Sequence, residues 1–138
     1  MNTSTAILKT SAVQRRVLIV DDNIDGARVF AALVRTLGHE PEYCINGYAA
    51  LELAPRTRPD VVFVDLALPD MNGWALAQAL RRKPGLERVR VIAISGHYGA
   101  NARQRSIDAG CEDHLVKPID PAVIVRLLAE DDGARSTA

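Results

Sequence analysis

The stretch at 61–74 reads VVFVDLALPDMNGW. Four apolar residues, three of them valine, run without a break into Asp65, and turn formers follow at Pro69, Asp70 and Gly73. A short continuous apolar run bounded by turn residues fits a strand buried on both faces. The runs at 17–21 (VLIVD) and 91–95 (VIAIS) have the same make-up, and 42–45 and 113–116 are weaker strand candidates. Helical patterns lie between them. Ala27, Phe30, Val34 and Leu37 step along one helix face, with Gly38 as the stop. Trp74, Ala77 and Leu80 mark a second such face, ended before Pro84-Gly85. Val123, Ile124, Leu127 and Leu128 make i, i+4 pairs behind Pro121. The segments at 49–54 and 102–109 are helical but less apolar. Strand and helix alternating five times predicts an α/β domain with a parallel sheet and right-handed crossovers that cover both faces with helices.

The rest of the composition fits one such domain. The chain has 138 residues, 48% hydrophobic and 25% charged, enough apolar content for a core. Seventeen basic and seventeen acidic side chains cancel, which argues against nucleic-acid binding through bulk charge. Residues 1–14 and 131–138 are small and polar without a period, and are expected to be a flexible leader and tail around a domain at 15–130. No signal pattern and no membrane-length apolar run is present, so the expected location is cytoplasmic. Cys44 and Cys111 sit in apolar surroundings and read as buried thiols in a reducing compartment. His39, His97 and His114 with Cys111 lack a zinc spacing. Arg81-Arg82-Lys83 reads as a solvated helix end.

In parallel sheets of this kind ligands bind beyond the carboxyl ends of the strands. Here those ends carry Asp21-Asp22, Asp65 and Ser95, with Lys117-Pro118 after the fifth strand. Three carboxylates gathered at one edge repel unless a cation joins them, and all-oxygen ligation suits magnesium or manganese. One carboxylate can then act as nucleophile toward phosphorus. The metal and the lysine would neutralise phosphoryl oxygens, and the serine hydroxyl would donate a hydrogen bond. Asp65 is the best nucleophile candidate, since it closes the central run. Taken singly, Asp21-Asp22 could equally cap a helix, Asp22 or Asn23 being suited to it.

The ordered set VLIVDDN at 17–23, VVFVDLALPDMNGW at 61–74, VIAISG at 91–96 and DHLVKPID at 113–120 resembles the receiver domain of two-component response regulators, over residues 16–130. The resemblance implies a flavodoxin-like (βα)5 fold with strand order 2-1-3-4-5. It implies a phosphorylation-dependent switch rather than a turnover enzyme. A histidine kinase or histidine phosphotransfer protein would donate a phosphoryl group to Asp65. Asp21, Asp22, Asp65 and the backbone carbonyl of Ala67 would hold Mg2+ (or Mn2+). Ser95 would contact the phosphoryl group, Lys117 would pair with it or, without phosphate, with Asp65, Pro118 would follow a cis peptide bond, and Pro69 and Gly73 would shape the loop after Asp65. The surface of the fourth helix, fifth strand and fifth helix would meet a downstream protein, and the family also allows a phosphorylation-dependent homodimer.

Three positions depart from, or tune, the family pattern. Where the family usually carries an aromatic switch residue, three before the lysine, this chain has His114. Ala67 and His97 stand where such domains set the lifetime of the acyl phosphate; Ala67 cannot orient a water, and His97 could block or assist one. The segment after Glu130 is short, so signalling by contact, or service as a phosphate relay or sink, is expected; a receiver cut from a hybrid kinase would read the same way. Two other function classes remain in view. An aspartate-nucleophile phosphatase needs a second acid two residues after the nucleophile, where Ala67 stands. A pseudo-receiver that only binds partners does not need the full set of site residues. Neither a G-x-G-x-x-G fingerprint nor a P-loop is present.

Overall fold

The computed structural model describes residues 13–96 and 99–130. Strands and helices alternate as β1 (Arg16–Val20), α1 (Ile24–Thr36), β2 (Glu40–Cys44), α2 (Gly47–Thr57), β3 (Val61–Asp65), α3 (Gly73–Arg81), β4 (Arg90–Ser95), α4 (Ala102–Asp108), β5 (Asp113–Val116) and α5 (Pro121–Ala129). The five strands form one parallel sheet in the order β2-β1-β3-β4-β5. The fold is that of the flavodoxin-like (βα)5 class.

Alternation along the strands divides the core in two. Val17, Ile19, Val61, Phe63, Ile92 and Ile94 face α1 and α5, where Ala27, Val34, Ile124 and Leu128 meet them. Leu18, Val20, Val62, Val64, Val91 and Ala93 face α2 and α3, where Ala50, Ala54, Leu76 and Leu80 meet them. The unbroken apolar runs of β1, β3 and β4 follow from this two-sided burial. The edge strands differ. β2 (EPEYC) is largely exposed and carries Glu40, Glu42 and Pro41, all of which discourage pairing by another strand. It therefore starts at Glu40, two residues ahead of the stretch at 42–45 that its apolar content marks.

Side-chain caps fix where four helices begin. Asn23, Asn46, Asn72 and Asp120 accept from the amides of Gly26, Ala49, Ala75 and Ala122, at 3.0, 2.8, 2.9 and 2.9 Å. Each such cap is worth about 1 kcal/mol. α4 has none: Asn101 precedes it without a side-chain capping bond. Gly38 follows α1 at φ +95°, a conformation that suits glycine and ends the helix. Helix α2 runs from Gly47 to Thr57, longer at both ends than its apolar spacing over 49–54 marks. Residues 1–12 of the expected leader, and the expected tail at 131–138, lie outside the described residues.

Candidate functional site

The strand order sets β1 and β3 side by side, with chain connections leaving in opposite directions, and this opens a crevice beyond their carboxyl ends. Asp65 is the last residue of β3 and Asp21 the first beyond β1. Asp22 follows on the exposed side. One carboxylate oxygen from each of these three residues lies within 4.8 Å of the others. Asn23, not Asp21 or Asp22, takes the helix cap, so both aspartates are left to the crevice.

Lys117 follows β5 and reaches across to the buried Asp65 and the half-buried Asp21. Its Nζ donates to Asp65 Oδ2 at 3.0 Å and to Asp21 Oδ2 at 3.1 Å. The second oxygens are held by backbone: Asp65 Oδ1 accepts from the Ala67 amide and Asp21 Oδ1 from the Asn23 amide, each at 2.9 Å. The Lys117–Pro118 peptide bond is cis, and the Lys117 amide donates to the Ser95 carbonyl at 2.8 Å. Burial pushes the Asp21 carboxyl above its ordinary value, and the Asn23 amide and Lys117 only partly offset it. Burial alone would lower Lys117, but its bonds to Asp65 and Asp21 outweigh this and raise it. The lysine is raised because two carboxylates share its ammonium, whereas Asp21 is raised first by burial, to which the Asp65 charge adds.

The loop from β3 to α3 is fixed at two points. A Cβ on Gly73 would stand 2.7 Å from Leu66 Cα and 2.8 Å from the Asp65 carbonyl oxygen, so only glycine lets α3 start this close to the strand end. Asp70 accepts from the Gly47 and Tyr48 amides at 2.8 and 2.9 Å, tying the loop to the start of α2. Desolvation pushes the Asp70 carboxyl up, but these amides outweigh it and hold the group below its ordinary value. Pro69 lies in this same loop.

On the other side of Asp65, Ser95 ends β4 and is fully buried. Its hydroxyl lies 2.9 Å from His114 Nε2. His114 is itself buried, and its Nδ1 lies 2.7 Å from the Ser106 hydroxyl in α4. The Trp74 indole N–H donates to that hydroxyl at 2.7 Å, and the Arg105 guanidinium stacks 4.0 Å above the indole ring. Sequence reading missed Ser106, whose only signal is a small polar residue on the inner face of a helix, four after Ala102. His97 lies outside the described residues.

Neither thiol belongs to the site. Cys111 is buried and Cys44 half-buried, a partial departure from the expected pair of buried thiols, and burial pushes both up to about 11. Cys44 is less covered because its strand is at the sheet edge. Arg81 is half-buried rather than fully solvated, its Nε covered beside Gly110. No helix among the described residues is long and apolar enough to cross a membrane.

A parallel α/β sheet with clustered acids and a lysine at its carboxyl edge defines a flavodoxin-like domain with an acidic ligand crevice. The model of the response regulator receiver domain matches residues 17–129, and the chain belongs to that family. Receiver domains are signalling modules of two-component systems. The polar-differentiation response regulator DivK of Brucella anthropi is 32% identical over 105 residues, 76% of this chain and 85% of its own length. The histidine-protein kinase BarA of Escherichia coli is 29% identical over 127 residues, 92% of this chain, but this chain spans only 14% of BarA. The receiver domain of the sensor histidine kinase PA1611 from Pseudomonas aeruginosa, solved with a magnesium ion in its active-site cleft, superposes with TM-score 0.75 at 29% identity, over 84% of this chain and 95% of that one.

Proposed function

We propose that the chain is a phosphorylation-dependent switch of a two-component phosphorelay, with Asp65 as phosphoacceptor. The observation that carries this reading is the Lys117 ammonium bonded to Asp65 and Asp21 at adjacent strand ends. The donor set also fits a hard dication. Three carboxylates against one ammonium leave local negative charge that Mg2+ (or Mn2+) would neutralise. Asp21, Asp22, Asp65 and the backbone carbonyl of Ala67 would hold it. When bound, the ion supplies positive charge for the phosphoryl oxygens.

Asp65 attacks the phosphorus of a phosphohistidine carried by a histidine kinase or phosphotransfer protein. The new P–O bond forms as the P–N bond breaks, and the leaving imidazole keeps the electron pair. Lys117 compensates the phosphoryl charge and Ser95 donates its hydroxyl hydrogen to a phosphoryl oxygen. This is transfer to the domain itself, with self-dephosphorylation, and not turnover of a separate substrate. Ala67 offers no side chain to steer water, which leaves His97 as the other proposed determinant of phosphate lifetime.

The surface supports two contacts. An apolar groove of about 800 Å³ between α1 and the β5–α5 connection opens beside Asp21 and Lys117, with Val29 exposed on its wall, and lies where a donor protein must approach. The face of α4, β5 and α5 exposes Ile107 and Val116, and among the described residues α4 is the shortest helix and has no side-chain cap. A downstream protein, or a second copy, that prefers the phosphorylated form of this face shifts the population by its differential affinity. The cytoplasm, where such donors act, is the proposed location, with residues 15–130 as the working domain.

The test is intact-mass analysis after incubation with acetyl phosphate and Mg2+. Wild type should gain one phosphoryl group and Asp65→Asn none, and equal labelling of the variant would overturn the reading. Lys117→Ala should still bind Mg2+ but show no phosphate-dependent change in its amide spectrum. Beryllofluoride titration followed by Trp74 fluorescence covers the case of rapid hydrolysis.

A further inference from the structure

We propose that His114 is a positioning residue for Ser95, held as the neutral Nε2–H tautomer in a one-way hydrogen-bonded chain that runs from Trp74 through Ser106 and His114 to Ser95. The proposal rests on the reading of Asp65 as phosphoacceptor. It goes further by fixing which atom carries each proton and which element receives the signal.

The direction of the chain follows from chemistry. An indole N–H can only donate, so Ser106 Oγ is the acceptor at the Trp74 end. Among the described residues, the Ser106 hydroxyl has one other neighbour within hydrogen-bond reach, His114 Nδ1. Ser106 is fully buried, and its hydrogen needs an acceptor. It therefore donates to Nδ1, which must be unprotonated. A neutral imidazole then carries its hydrogen on Nε2 and donates it to Ser95 Oγ. The opposite order, with hydrogen on Nδ1, would leave the buried Ser106 hydrogen without an acceptor among the described residues. Burial, and then the charge of Arg103, keep the imidazole below its ordinary pKa against the pull of Asp113, in agreement with a neutral ring.

This wiring has two consequences. Because Ser95 Oγ receives the imidazole hydrogen, its own hydrogen is turned away from His114 and is available to a phosphoryl oxygen. And because each link is a hydrogen bond, a displacement of Ser95 pulls on Ser106 and Trp74, and through them on α4. Arg103 adds ties to the same helix, bonding the His114 carbonyl at 3.4 Å and pairing with Asp113 at 2.8 Å. An aromatic residue at position 114 could move into vacated space, but it could not bond both serines.

Two spectra test the proposal. In wild type at neutral pH, a long-range 15N spectrum of the histidine rings should give His114 a protonated Nε2 and a bare Nδ1. A proton on Nδ1, or an imidazolium, overturns the proposal without any variant being made. Next, beryllofluoride with Mg2+ should displace the Trp74 indole N–H signal of wild type. His114→Phe should bind beryllofluoride more weakly and, once saturated, leave the indole signal in place; His114→Gln, which can donate to Ser95 and accept from Ser106, should restore part of the displacement. An indole that moves as far in His114→Phe as in wild type overturns the relay. Absence of any amide change around Asp65 in wild type would instead refute the phosphoacceptor reading, while the ring spectrum still decides the wiring.

Discussion

Replacing Glu112 by glutamine should cost stability without touching the phosphoryl site. Arg90 starts β4 at the end of the sheet remote from Asp65, and is buried. Its guanidinium grips Glu112 with two parallel bonds, each 2.7 Å, and also donates to the carbonyls of Leu127 at 2.8 Å and Glu130 at 3.1 Å. The two side chains are 6% and 5% exposed, so solvent screens the pair very little. Glutamine keeps the shape of Glu112 and removes its charge. Breaking one partner of a buried pair costs about 3–5 kcal/mol, since the other charge stays behind. The low end applies, because the Glu130 carboxylate stands 3.6 Å from Arg90 and compensates in part. A loss of about 3 kcal/mol is a large share of the 5–15 kcal/mol typical of a domain. With a urea m-value of about 2 kcal/mol/M, the midpoint should fall by roughly 1.5 M. Urea melts of wild type and E112Q measure this directly. Arg90→Met together with Glu112→Leu should recover part of the loss, since an apolar pair needs no desolvation but leaves the Leu127 and Glu130 carbonyls without their donor. Below the melt, E112Q should accept phosphate like wild type. A stability loss under about 1 kcal/mol, or a double variant no better than the single, would refute the reasoning.

Gly73→Ala should push α3 away from the end of β3. The added carbon meets backbone at 2.7 and 2.8 Å, and the overpacking should cost about 1–3 kcal/mol in thermal melts and slow phosphorylation by acetyl phosphate; unchanged melting and labelling would contradict the close approach. Stability should fall as pH drops below the ordinary histidine value of about 6.5. Burial, with Arg15 beside His39 and Arg103 near His114, holds both rings below that value in the fold. The unfolded chain therefore binds more protons there, and the stabilisation, whole above about 6.5, drains as pH falls toward the lowered folded values. Urea midpoints at pH 7.5 and 5.5, buffer values chosen to lie about one unit either side of that point, should rank in that order. His39→Gln should flatten part of the slope, and a midpoint that rises on acidification would contradict the assignment.

The legible part of the fold was the part buried on two faces. β1, β3 and β4 declare themselves because their side chains meet helices above and below, so no polar residue interrupts them. β2 is less legible, because an exposed edge favours Glu40, Pro41 and Glu42 over apolar residues. The strand-end aspartates, Ser95 and Lys117 were readable as a set, since the topology of a parallel sheet brings strand ends together. Which atoms meet was readable only in part. The resemblance implied the Lys117–Asp65 pair; that the same ammonium also bonds Asp21 was hidden, because no local pattern encodes so distant a partner. Ser106 and the Arg90–Glu112 pair were hidden for a related reason. A polar residue inside a fold looks like a surface residue in sequence, and only its distant partner reveals otherwise.

The central claim is that Asp65 itself carries the phosphoryl group. It is tested most directly by treating the protein with acetyl phosphate and Mg2+, reducing the acyl phosphate with borohydride, and sequencing the peptides by mass spectrometry. The account predicts a side chain reduced to a primary alcohol at position 65 and nowhere else. Reduction at Asp21 or Asp22 instead, with Asp65 intact, would contradict it.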